Sequence, residues 1–366
     1  MPFGDVFLPN QADVRQEVLD AMLRRPISHR SAEFHRLFAN IQTGLRGLFG
    51  TERPVYVATS SGTGMMEAAV RCAPRGRILA LVNGAFGERF ARIAVACDRE
   101  VDRYEMPPGQ VPEPSEVAEL LSRSSYSTVT MVHSETSTGA LADVRGIAVV
   151  CRSARAVTIV DSVSGIGGAP FHFDEWGVDC AVSASQKAIG LPPGLGFAVA
   201  SRDFIRNAAG VSDRGVYLDL VSFDAHAHNN ETPTTPAVSL LFALEAEIAE
   251  VAREGVEARW ARHDAMRALV ELWSGQLQRD TGLEVRILAR AGARSPTVTV
   301  LQLSDVVRPE VLIADLAARG YLIGSGYGEL ATTSVRLGHM ADRTVGELAG
   351  CLSTMEESLR AIALVG

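Results

Sequence analysis

Several features that would assign a chain to a common class are scarce or missing here. The five cysteines, Cys72, Cys97, Cys151, Cys180 and Cys351, are scattered, odd in number and contain no CxxC pair. Neither a disulfide framework nor a zinc site can be read from them, no metal is expected, and a reducing cytoplasmic compartment fits best. Dense basic runs are absent, and Asp plus Glu outnumber Lys plus Arg by 43 to 35, giving a net charge of −8. That balance argues against nucleic acid or an anionic membrane as partner and leaves a small molecule as the expectation. The amino end carries Asp5 with no basic segment and apolar core behind it, and the longest uncharged stretch, Ala188 to Ser201, is broken by Gly and Pro. No export signal and no membrane span are expected. GxxxxGK[ST] does not occur and no GxGxxG follows an apolar run, so ATP and NAD readings lack their usual support. Internal repeats and low-complexity segments are also missing.

What is present is an ordinary globular composition, 47% hydrophobic and 21% charged over 366 residues, enough for two domains and a substantial core. Apolar runs alternate with helical patterns: Ile78 to Val82 then Phe86 to Ala96, Val129 to Val132 then Val144 to Ala154, followed by Val157 to Val160 and Cys180 to Val182. This is the alternation of a mostly parallel sheet with helices on both faces, a three-layer α/β/α domain. A smaller C-terminal α/β domain follows, with a strand at Val298 to Leu301, a helix from Pro309 ended by Gly320, a strand near Val335 and a final helix repeating Val345, Leu348, Leu352, Met355, Leu359 and Ile362. The expected division is an arm over 1–25, a large domain over 26–255 and a small domain over 256–366.

Lys187 stands just after a short buried strand and before a Gly/Pro-rich segment, where solvation is poor; a lone lysine there could snorkel to the surface. Asp161 ends the run Val157 to Val160 and so lies at the carboxyl end of a strand, where open α/β sheets bind ligands. A lysine and a carboxylate from neighbouring strand ends suit pyridoxal phosphate chemistry, the lysine forming the Schiff base and the acid keeping the pyridine nitrogen protonated. Upstream, the segment Ala58 to Val70 opens with small residues and turns into a helix. It reads as a phosphate cradle or simply as a helix cap. His133, His226 and His228 remain ambiguous; the last two, two apart in a polar connection, would point to opposite sides of an extended strand. Ser31 is expected to cap a helix whose buried face is Phe34, Leu37, Phe38, Ile41 and Leu45, with His29 and Arg30 as weaker candidates for substrate contact.

The motifs DSVSGIGG at Asp161 to Gly168, SASQK at Ser183 to Lys187 and the following PPG resemble those of class V, fold-type I pyridoxal phosphate aminotransferases, above all the alanine–glyoxylate and serine–pyruvate branch. The likeness runs from about Pro26 to the C-terminus. It implies that Ser61, Gly62 and Thr63 hold the cofactor phosphate, with Ser185 and Gln186 also at the cofactor. It implies further that Phe86 and Val163 sandwich the ring, that Thr136 lies near its phenolic oxygen, and that Asp161 meets the pyridine nitrogen. Thr234, in TPTTPAVSL, would reach the phosphate of the other subunit of a homodimer with shared sites; Pro236 would also start a helix. Arg336, inside an apolar strand, would bind the substrate carboxylate. The implied reaction moves an amino group from a small amino acid such as alanine or serine to a 2-oxoacid such as glyoxylate or pyruvate. A 2-aminoethylphosphonate-type transaminase and a pyridoxal phosphate lyase are the alternatives; a cysteine desulfurase is disfavoured because Gly324 to Glu329 offers no thiol, and a non-catalytic binding protein because Lys187, Asp161 and Arg336 are kept together. The family's amino-terminal arm lies across the dimer, but Phe7 to Asp13 lacks the Gly-Pro pair many relatives carry.

Overall fold

The computed structural model describes residues 4–365, with side chains as far as Ile362. A seven-stranded sheet occupies the centre, in the order Tyr56–Thr59, Leu195–Ala200, Cys180–Ala184, Val157–Asp161, Thr128–Val132, Ile78–Val82 and Val101–Glu105. Leu195–Ala200 pairs antiparallel with both of its neighbours; the other pairings are parallel. The inner strands are buried throughout apart from half-buried Val157, as strands covered on both faces must be. One face carries a core built on Leu79, Val129, Ile147, Val160, Phe197 and Leu241, the other a core built on Met65, Phe90, Ile159, Val182 and Phe204. A fully buried Leu, Val or Phe contributes about 1.5–3 kcal/mol, so these two layers are the principal stabilising mass of the sheet.

The helix Ala32–Phe49 starts where expected: the Ser31 hydroxyl accepts from the Phe34 amide at 3.2 Å, and Phe34, Leu37, Phe38, Ile41 and Leu45 are all buried. The short helix Gln16–Ala21 buries Val18. Two expectations are corrected in the polar connection. His226 lies in the helix Leu220–Ala227 and His228 caps its end, because Asp219 caps the first turn and Leu220, Phe223 and Ala227 recur at helical spacing on a buried face. Pro236 stands one residue before the N-cap Ala237 of the helix Val238–Glu254, outside its first turn.

A second sheet runs Asp5–Phe7, Tyr321–Ser325, Ser334–Gly338, Val298–Leu303 and Val285–Ile287. Its core joins Phe7 to Leu301, Val335, Leu352 and Leu359, under the helices Val256–Thr281, Pro309–Ala318 and Val345–Val365. Val345, the first residue of the last helix, is exposed, so the expected stripe begins at Leu348. The amino-terminal strand was not anticipated: three residues are too few for a periodic signal, and its pairing with Tyr321–Ser325 spans almost the entire chain. Glycines make that passage possible. A Cβ at Gly338 would sit 2.4 Å from the Leu8 carbonyl oxygen, and one at Gly324 would sit 2.6 Å from Pro9. Among the described residues no helix is long and apolar enough to cross a membrane.

Candidate active site

The carboxyl ends of four adjacent parallel strands feed one cavity of about 240 Å³. After Ile78–Val82 comes Phe86; after Thr128–Val132 come Glu135 and Thr136; Val157–Asp161 ends on Asp161 and leads to Val163; Cys180–Ala184 leads to Gln186 and Lys187. Register places Asp161 opposite Val132 on one side and Val182 on the other. The strand Tyr56–Thr59 contributes Ser61, Gly62 and Thr63, which open the helix Gly62–Cys72 at the cavity wall.

Lys187 is the only lysine in the sequence, the remaining Lys-plus-Arg positions being arginine. It is buried, and its ammonium donates to the carbonyl of Pro9. Burial lowers its pKa to about 8; the positive charge of Arg336 acts in the same direction, and Asp161 and Glu135 oppose them. Asp161 moves the other way, raised to about 7 by burial, against a 2.8 Å bond in which the Val163 amide donates to its Oδ1. Both groups are thus brought close to neutrality, where a proton moves between them and a ligand at small cost.

Phe86 lies in the first turn of the helix Ala85–Ala96, because Glu135 reaches under that turn and accepts from the amides of Phe86 and Gly87, each at 3.1 Å. Its ring packs at 6.0 Å from Tyr327, with the Arg89 guanidinium 4.6 Å from its centroid. Thr136 bonds Ser164 at 2.6 Å, and Val163 lines the same cavity. Arg336 lines it too: its Nε donates to the Ser325 carbonyl at 2.7 Å and its Nη1 approaches the Thr136 carbonyl at 3.4 Å. Among the described residues no carboxylate pairs with Arg336, Arg89 or Lys187. A half-buried guanidinium satisfied by carbonyls alone retains its full charge for an incoming anion.

One of the expected residues stands elsewhere. Ser185 does not line the cavity: its hydroxyl accepts from the Leu195 amide at 3.2 Å and donates to the Pro192 carbonyl at 2.7 Å, tying the PPG segment to its strand. Thr234 is exposed and lies outside its own chain's cavity. His133 is buried against Phe171 and Trp176, with Nδ1 2.9 Å from the Ser162 hydroxyl; burial takes its pKa down to about 4 and keeps it neutral. Arg30 turns to Glu231 and the Thr232 carbonyl, and His29 packs edge-on against Phe34. Conversely, Pro9, Asn10, Met66, Arg89 and Tyr327 line the cavity without having been singled out. Arg89 lies three residues after Phe86 on one helix face, a signal that was available; Pro9 and Tyr327 come from loops with none.

The residues present fit pyridoxal phosphate. A buried lysine without a carboxylate partner faces a buried carboxylate whose second oxygen is uncommitted. Beside them, a Cβ at Gly62 would lie 2.5 Å from the Val163 side chain, so only glycine leaves the helix start open. The Ser61 hydroxyl accepts from the Gly64 amide at 3.2 Å, which leaves the earlier amides of that first turn, outside the helix ladder, for an anion. Fold and cavity together define a fold-type I, pyridoxal phosphate-dependent enzyme. The chain belongs to the class-V aminotransferases, whose family model matches residues 15–326. It is 32% identical to an uncharacterized aminotransferase of Methanocaldococcus jannaschii over 97% of this chain and 92% of the relative. It is 31% identical to the serine–glyoxylate aminotransferase of Methylorubrum extorquens, over 97% and 90%. The crystal structure of alanine–glyoxylate aminotransferase from Nostoc sp. superposes with a TM-score of 0.90 at 29% identity, covering 98% of this chain and 96% of that one.

Proposed function

We propose that the enzyme transfers the amino group of a small amino acid, such as serine or alanine, to a 2-oxoacid such as glyoxylate or pyruvate. The observation that carries this reading is Arg336: a guanidinium without a carboxylate partner, in one cavity with Lys187 and Asp161, is suited to hold an α-carboxylate bidentately. Bound pyridoxal phosphate supplies an electron sink for negative charge developing at the amino acid's α-carbon. Lys187 would hold the cofactor and would move the amino acid's α-proton, an exchange near neutral pH for which its lowered pKa is suited. Asp161 would hold the cofactor's ring nitrogen in its protonated form. Phe86, Val163 and Thr136 would hold the cofactor's ring, and Ser61, Gly62, Thr63 and Gln186 its phosphate. Arg89, 3.4 Å from the Thr63 hydroxyl, adds positive charge at that end.

The same reading makes the catalytic unit a homodimer in which Thr234 completes the partner's phosphate site. Support comes from the exposed Thr234 segment and from its neighbours on that face. Thr59 receives the Tyr217 hydroxyl and the Ala237 amide, and beside Tyr217 stands Val216, 91% exposed. Gly255, at φ +87°, separates the two long helices and is where we divide large from small domain. Five free, buried cysteines suit a reducing cytoplasm. Screening amino donors against glyoxylate and pyruvate, with each keto-acid product identified, tests the assignment. Efficient turnover of 2-aminoethylphosphonate alone, or elimination without amino transfer, would overturn it.

A further inference from the structure

Away from the cavity, the long helix Val256–Thr281 carries Arg259, a guanidinium only 1% exposed. Its Nε donates to the Gly167 carbonyl at 3.2 Å and its Nη2 to the Ala188 carbonyl at 3.0 Å. Gly167 closes the turn that begins at Asp161, and Ala188 is the residue after Lys187. The two segments touch backbone to backbone at this point. A Cβ on Gly167, which sits at φ +93°, would lie 2.9 Å from both the carbonyl carbon and oxygen of Ala188.

A buried guanidinium is tolerated only when paired, and this one is paired three times: Glu247 at 3.3 Å, Glu254 at 3.1 Å and Asp342 at 2.8 Å. Glu247 is itself fully buried and also holds Arg15 of the amino-terminal arm at 2.9 Å. The fork is therefore fixed from behind by three carboxylates on other elements, and its two remaining donor directions meet the carbonyls of the two loops. We infer that Arg259 is a positioning residue for catalysis, clamping the lysine loop against the Asp161 turn and so setting where the Lys187 amine stands relative to the Asp161 carboxylate. This rests on the proposed roles of Lys187 and Asp161.

The test uses the full-length protein stripped of cofactor and then given pyridoxal phosphate. Because Lys187 is the only lysine of the wild-type chain, borohydride trapping followed by peptide mapping assigns the linkage to it, and in Arg259→Lys the mapping separates the Lys187 peptide from the one that carries the introduced amine. The capture rate is followed against pH, alongside kcat, KM and the thermal midpoint. Arg259→Met removes the fork and keeps much of the volume; Arg259→Lys keeps the charge but cannot span both carbonyls. Arg262→Met is the control, since Arg262 holds Glu254 and the carbonyls of Ala341 and Arg343 and has no bond to either loop. Arg259→Met is expected to slow capture and lower kcat at least tenfold, shifting the pH midpoint of capture with KM nearly unchanged. Arg259→Lys should fall between it and wild type. Arg262→Met should lower the thermal midpoint yet leave capture within twofold. If Arg259→Met does not fold, Arg259→Lys is read by the same criteria. Capture within twofold of wild type in a folded Arg259 variant, or an equal loss in Arg262→Met, overturns the inference. Failure of wild-type Lys187 to capture the cofactor would instead reject the underlying assignment.

Discussion

The floor and the roof of the cavity are made by different means. Phe86, Thr136, Asp161, Val163 and Lys187 rise from consecutive parallel strand ends, each within five residues of its strand. Sheet register alone brings them together. Pro9, Tyr327 and Arg336 come from the arm and the small sheet, and reach the cavity through contacts that span more than 150 residues of chain. The floor therefore inherits its geometry from the most buried part of the molecule, whereas the roof depends on how the small sheet and the arm rest on it. Chemistry should fail when the floor is altered, and affinity for substrate should fail when the roof is altered.

The largest effect is expected for Lys187→Ala, which should abolish both turnover and the borohydride-fixable linkage; no second lysine exists to substitute. Asp161→Asn should fold and lose activity severely, since an amide can bond the ring nitrogen without stabilising its charge. It should also carry a pH signature in the cofactor-free protein. The folded-state pKa of Asp161 lies near 7 and its ordinary value at 3.8, so the cost of its buried charge is absent below about pH 4 and complete above about pH 7. Chemical denaturation should therefore show Asn gaining on Asp across that window by on the order of 4 kcal/mol. An unchanged difference between pH 4.5 and pH 8 would contradict the burial account.

Thr234→Ala should weaken cofactor retention by ten- to hundredfold, the loss of a bond to a charged group at about 1.5–3 kcal/mol. Mixing Lys187→Ala with Thr234→Arg under subunit exchange should restore activity towards half per dimer, because one hybrid site has both residues intact. A mixture that stays dead despite exchange rejects shared sites. The smallest effect belongs to the roof. Tyr327 packs on Phe86 at 6.0 Å and under the Arg336 guanidinium at 5.5 Å. Tyr327→Leu should raise KM for the amino donor by roughly threefold to tenfold with kcat little changed, as a lost aromatic or cation–π contact of about 1 kcal/mol requires. A collapse in kcat would erase the distinction between floor and roof.

That distinction also explains what could be read in the sequence. Apolar runs ending in Asp161, or followed closely by Lys187 and Thr136, locate strand ends directly, since strand-end chemistry is local in the chain. Thus the mostly parallel sheet, the helix cap at Ser31 and the floor of the cavity were legible. The edge strand Asp5–Phe7 was not, being three residues long and paired across more than 300 residues. His226 and His228 were misread because the buried stripe Leu220, Phe223 and Ala227 is short and surrounded by polar residues. Ser185 has the same chemistry as a phosphate ligand, and only the approach of Pro192 and Leu195 diverts it to the backbone. Arg259 gave no sign either, because a buried arginine is recognised by the carbonyls it meets, not by its place in a helical pattern.

The most direct test of the central claim is a single half-reaction on the pyridoxal phosphate-loaded protein. Borohydride trapping should fix one cofactor per chain on the Lys187 peptide. Prior addition of a productive amino donor without any oxoacid should abolish that trapping, release one equivalent of keto acid and leave the amino group on the cofactor. A linkage on any other group, or keto acid formed with ammonia and no aminated cofactor, would contradict it.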